Sequence, residues 1–242
     1  VDSRSSGAAG LTRGITLAAV LLTVGAGATD VTSFTRLGGV FSSVMTGNLI
    51  VFGLAVAQAS AGLAEHTALA VGGYVLGVAI GARLIARAPH GRPATATAAE
   101  GWPALVTVAL GIELALLAGL SAGWELTGAR PGGADQYLLL AVAATAMGVQ
   151  SAAVRGLGRA DFSTTYLTGT LTGLVAGLVT PGKPDWPGLR QAGPLLAVAV
   201  GALIGGVLIA NAPAALPVII LAPLCLVLAT YAWTRRGSRP GG

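Results

Sequence analysis

The sequence predicts an all-α integral membrane protein made of two inverted repeats, each with three spanning helices and one short or re-entrant helix. Composition, an internal repeat and the placement of basic residues predict it. Of 242 residues, 54% are hydrophobic and only 10% are charged, with 37 glycines, which a water-soluble globule could not disperse over its surface. Apolar runs of about 20 residues, the length that crosses a hydrocarbon core, follow one another with short polar interruptions. They leave no stretch for a soluble domain.

Taken in order, the apolar segments cover 12–33, 44–64, 67–87, 103–124, 136–154, 164–180, 191–210 and 214–234. The first four pair with the last four. Ala26-Gly27-Ala28-Thr29-Asp30 aligns with Ala146-Met147-Gly148-Val149-Gln150, and Leu37-Gly38 with Leu157-Gly158, both 120 residues later. "MTGNL" from Met45 aligns with "LTGTL" from Leu167 at 122, and Gly77 and Gly81 with Gly201 and Gly205 at 124. Such drift in one direction is the mark of an old duplication.

Basic residues decide how often each half crosses, because cytoplasmic loops collect them. With eight crossings and two parallel repeats, the alternative architecture, they divide 8 against 6. If 44–64 and 164–180 enter without crossing, Arg4, Arg13, Arg83, Arg87, Arg92, Arg155, Arg159, Lys183, Arg190, Arg235, Arg236 and Arg239 share one side. Only Arg36 and Arg130 face the other, so 12 stand against 2. Six spans with both termini cytoplasmic follow, and three crossings per half make the repeats inverted. The expected order is a cytoplasmic tail over 1–11, membrane repeats over 12–124 and 136–234 joined by a loop over 125–135, and a basic tail over 235–242. The apolar run ending at Ala26-Gly27-Ala28 resembles a signal-peptide cleavage region, but the same pattern recurs internally and the run is read as a span.

Net charge is +5, and the arginines lie in short loops as orientation signals, so no nucleic-acid partner is expected. The one cysteine, Cys225, lies in an apolar run, and His66 and His90 read as separated, solvated loop residues. No metal site, cofactor or catalytic set is therefore legible.

Four groups of residues carry the functional expectation. Thr46-Gly47-Asn48 and Thr168-Gly169-Thr170 place small and hydrogen-bonding groups at two short-helix starts, where freed backbone is tolerated only against protein or a watery cavity. Thr46 is expected to cap its helix, Gly47 to permit close approach, and Asn48 to donate and accept. Asp30 and its mate Gln150 lie near the ends of corresponding spans, with Arg36 as the nearest partner of Asp30. Glu113 stands midway through an apolar span with no charge within ten positions, which suggests proton coupling or cation binding. Gly73, Gly77 and Gly81, with Gly201 and Gly205, form smooth helix faces expected to pair across the repeat axis and to offer a contact for a homo-oligomer.

The stretch "DVTSFTRLGGVFSSVMTGNLIVFG", Asp30 to Gly53, followed by a glycine-rich span and a basic loop, resembles the signature region of the YoaK family, bacterial multi-spanning membrane proteins of unassigned function. The resemblance implies an inner-membrane protein of about six helices, at most a transporter, and supplies no substrate. From the residues, the leading expectation is a small-solute transporter or channel with its site between the repeats and the bilayer and a solute or ion as partners. A membrane scaffold or complex subunit is the alternative, and a membrane enzyme ranks last.

Overall fold

The computed structural model of the chain describes residues 2–87, 104–157, 167–179 and 187–237. His90, Arg92, Arg159, Lys183 and Arg239 lie outside the described residues. The described elements are helical: α1 (Asp2–Arg36), α2 (Met45–Ala57), α3 (Ala61–Ile85), α4 (Ala104–Leu126), α5 (Ala134–Gly156), α6 (Leu167–Val179), α7 (Pro187–Asn211), a 3-10 turn at Pro213–Ala215, and α8 (Leu216–Gly237). Six are long and apolar enough to cross a membrane: Gly14–Arg36 of α1, α3, α4, α5, Ala192–Asn211 of α7, and Pro213–Trp233. α2 and α6 have 13 residues each, or about 20 Å at 1.5 Å per residue, short of a core about 30 Å thick. Their starts, Met45 and Leu167, are 122 residues apart, the spacing of the two TG elements.

One boundary differs from the sequence expectation. The apolar run over 44–64 breaks at 58–60, so α3 starts at Ala61 and takes in His66. The break is a Schellman end: Ser60 N–H donates to the Ala55 carbonyl and Ala59 N–H to that of Val56, with Ala59 at φ +51°. α4 ends the same way, with Ala129 N–H on Trp124 and Gly128 N–H on Glu125, and there glycine holds the left-handed position at φ +58°. At Ala59 no glycine marks the stop, so the sequence reads as one run.

The helices pack in two matching sets. α3 lies on α5 and α1 on α7; α4 lies on α5 and α1 on α8; α2 lies on α3 and α6 on α7. α4 also meets α8, and α1 meets α5. The closest approaches are glycine contacts with backbone. A Cβ on Gly77 would run into the Thr145 carbonyl, and one on Gly148 into the Tyr74 carbonyl. In the other set, Gly201 meets the Val24 carbonyl and Gly27 that of Val198. Only glycine allows such approach, and close backbone packing is the principal source of helix adhesion in lipid. The glycine faces of α3 and α7 are thus filled within the chain by α5 and α1. This corrects the expected pairing of these faces with each other.

These contacts also fix a register. Gly27 against Val198 corresponds to Gly148 against Tyr74, a step of 121 residues in one helix pair and 124 in the other. The α1 and α5 alignment therefore shifts by one from the 120 read in the sequence, and Ser151, not Gln150, is the positional counterpart of Asp30. Direction follows from two hydrogen bonds. The Gln136 amide donates to the Arg36 carbonyl and the Gln150 amide to the Leu22 carbonyl, so 14 residues forward on α5 are 14 back on α1. α1 and α5 are antiparallel, and the indole N–H of Trp124, near the end of α4, donates to the Pro213 carbonyl at the start of the last span.

Candidate functional site

The connection between α1 and α2 is a latched turn. Asp30, 5% exposed on α1, accepts hydrogen bonds at Oδ1 from the Ser42 N–H, Ser42 hydroxyl and Ser43 N–H, each at 2.8 Å, and at Oδ2 from the Ser43 hydroxyl. Asn48, fully buried in the first turn of α2, accepts from the Phe41 N–H at 2.9 Å and donates to the Phe41 carbonyl at 2.7 Å. Phe41 stacks on Phe34 of α1 with ring centroids 5.0 Å apart. The chain reaches this turn through Gly38 and Gly39, whose φ values of +104° and +75° favour glycine.

Several expectations change here. Arg36 is not the partner of Asp30; the serines that follow the double glycine are, because their N–H groups and hydroxyls converge on the carboxylate. Thr46 does not cap α2, whose N-cap residue Val44 makes no side-chain cap, and Thr46 is exposed. Gly47 is half-buried, beside the Phe41 ring. In α6, Thr168 is exposed like Thr46, but Gly169 is exposed where Gly47 is half-buried, and Thr170 is half-buried where Asn48 is buried. α2 rests on α3 and α6 on α7, and the two short helices share no substantial contact. Leu49, Ile50 and Val56 of α2 and Leu171 and Val175 of α6 stay exposed as apolar outer surface.

His66 is a second correction. It is 8% exposed within α3, not in a loop, with Nδ1 2.7 Å from the Gly62 carbonyl and its ring stacked on Tyr137 at 4.1 Å. Gly38 also packs against this imidazole, where a side chain would collide with the ring. Tyr137 donates to Glu65 at 3.0 Å, so the exit of α1 is tied to α3 and α5. No sequence signal disclosed this contact, because it depends on a spatially adjacent turn at Gly38 that has no room for a side chain.

Glu113 stands apart from these satisfied groups. It lies 1% exposed on the inward face of α4, which packs on α5 and α8, and its Oε2 has no hydrogen-bond partner among the described residues. Val106 meets Gly156 and Gly123 meets Leu139, so counting inward from either contact sets Glu113 level with Val149 and one residue from Gln150. Counting from the Trp124–Pro213 contact sets it near the level of Leu224 of α8, beside Pro223 within that helix. At this level Gln150 already donates to α1 and Ser151 accepts from Tyr74 of α3, so Glu113 stands among polar groups that have partners. Among the described residues, no group of three or more His, Cys, Asp or Glu is arranged to hold a metal ion.

Residues 18–232 match the family described as "Protein of unknown function (DUF1275)". The chain belongs to this family. Among curated proteins, this DUF1275 chain is 31% identical over 155 residues to "UPF0700 transmembrane protein YoaK" of Bacillus subtilis (strain 168), covering 64% of the chain and 63% of that protein. The match thus spans under two thirds of the relative's length. No solved structure matches. Family membership and six long apolar helices make this DUF1275 chain a multi-pass membrane protein in contact with the lipid bilayer.

Proposed function

We propose that this DUF1275 protein moves a small solute across the bacterial inner membrane, with its site between two inverted repeats at the level of Glu113 and Gln150. The observation that carries the reading is Glu113. A carboxyl group in the middle of a spanning helix costs about 2.5–3.5 kcal/mol on insertion scales when ionised, and here Oε2 gains no bond in return. Inverted repeats are supported by the matching helix contacts and by corresponding helices running antiparallel, as α1 does to α5. Three crossings per half would put both termini on the cytoplasmic side with the basic loops.

In this reading Asp30 and Asn48 are positioning residues that hold the start of α2, since their polar atoms are taken up by the turn. Thr46, Gly47, Thr168, Gly169 and Thr170 line the approaches from the two ends. Purified protein in vesicles, screened for flux of small ions and metabolites, tests the proposal. Flux above protein-free vesicles that is lost in Glu113→Gln is the expected result; no flux for any solute of the panel would sink it.

One feature favours a second reading as a membrane subunit. Gly111 and Gly119 of α4, with Ala115 between them, form an exposed small-residue face with open space over both glycines. Such a face suits close packing of another spanning helix. Co-purification of a stoichiometric partner, together with absent flux, would favour it.

A further inference from the structure

We propose that Glu113 is a reversible proton-binding site, and that a proton, in preference to a metal cation, is the ion this protein couples to its solute. The inference rests on the transport reading and narrows its ion. A hard cation such as magnesium or calcium takes six or more oxygen ligands, and sodium sites in transporters draw on several backbone carbonyls of unwound helices. Glu113 lies within the continuous helix α4, and no second carboxylate is grouped with it among the described residues. One carboxyl oxygen with no partner is enough to bind a proton and too little to replace a hydration shell.

The charged and titratable groups of the helices packed on α4 do not neutralise it at its own level. On α5, level with Glu113 at Val149, Arg155 is exposed and six residues nearer one end, while Asp135 and Tyr137 lie at the other end. On α8, Cys225 is exposed and Tyr231 lies seven residues beyond Leu224. On α3, Tyr74 donates to Ser151, Arg83 is exposed near the end of the helix, and Glu65 and His66 are engaged with Tyr137. Arg235 and Arg236 lie eleven and twelve residues beyond Leu224 on α8, and among the described residues of these helices none is placed to hold the carboxylate ionised by direct pairing, so proton uptake removes the local charge.

The step balances simply. Water on one side supplies the proton, an O–H bond forms on the carboxylate, the site becomes neutral, and the same bond breaks to water on the other side. Neutralisation is also what lets the surrounding helices shift without moving a bare charge through hydrocarbon. Pro223 is level with the site, and because proline lacks an N–H, α8 has a break in its hydrogen-bond ladder there.

Infrared difference spectra of the full-length protein in lipid, taken between acidic and alkaline buffer, test the inference without knowledge of the solute. The expected result is a carboxylic-acid carbonyl band that appears on acidification, is absent from Glu113→Gln, and returns at a displaced position in Glu113→Asp. Size-exclusion profiles and melting temperatures of the variants establish that they are folded. The proposal is overturned if no such band depends on Glu113, if the band persists unchanged across the pH range, or if sodium, potassium or calcium salts remove it at fixed pH. A titrating band without flux of any solute would leave the proton site standing and defeat the transport reading. Flux driven by sodium, with no titrating band, would do the reverse.

Discussion

Two carboxylates in apolar helices have opposite circumstances. Asp30 receives four donors from Ser42 and Ser43, and bonds to a charged acceptor contribute about 1.5–3 kcal/mol each. Asp30→Asn keeps the shape but puts donors against donors, and should lower stability by roughly 2 kcal/mol. The check is a fall in melting temperature with faster hydrogen exchange over residues 37–44. Glu113 should behave in the other sense. Glu113→Leu replaces a buried carboxyl, whose Oε2 has no partner among the described residues, with an apolar side chain of similar size and should raise the melting temperature while abolishing flux, as a group kept for activity at a cost in stability. A destabilised Glu113→Leu would instead mark the carboxyl as structural. Ala59, exposed at φ +51°, occupies the position that glycine fills at the end of α4, and Ala59→Gly should stabilise by about 1 kcal/mol in thermal melts.

At the scale of elements, the short helices and the glycine faces carry separate tests. If α2 does not cross, the residues flanking it share a side of the membrane. Arg36→Cys and Gln58→Cys, each made with Cys225→Ala, should then react with an impermeant maleimide from the same side of intact cells; labelling from opposite sides would restore a full crossing. Gly77→Ala drives a Cβ into the Thr145 carbonyl, a backbone atom that cannot move aside, whereas Gly111→Ala meets open space. The first should reduce the yield of monodisperse protein several-fold, and the second should leave it unchanged. The turn at 58–60 was not legible beforehand because its residues, Gln58-Ala59-Ser60, lack the glycine or proline that ordinarily marks a stop.

At the scale of the whole molecule, composition and apolar run length determined by themselves that this is a multi-pass helical membrane protein, since about 20 apolar residues have no other stable setting. The spacing of the TG elements also anticipated a pair of equally short helices, and the isolation of Glu113 in the sequence anticipated its burial. Which helices touch was decided only in three dimensions. α3 joins α5 rather than α7 because Gly77 and Gly148 let those two backbones meet, and that mutual fit depends on both surfaces at once. The same holds for His66, whose burial follows from Tyr137, 71 residues away, and from a missing side chain at Gly38. Hydropathy is a property of each segment and can be read along the chain. Partner choice, register and the saturation of Asp30 are properties of pairs of surfaces, fixed by how closely backbones approach and by which donors they bring to an acceptor.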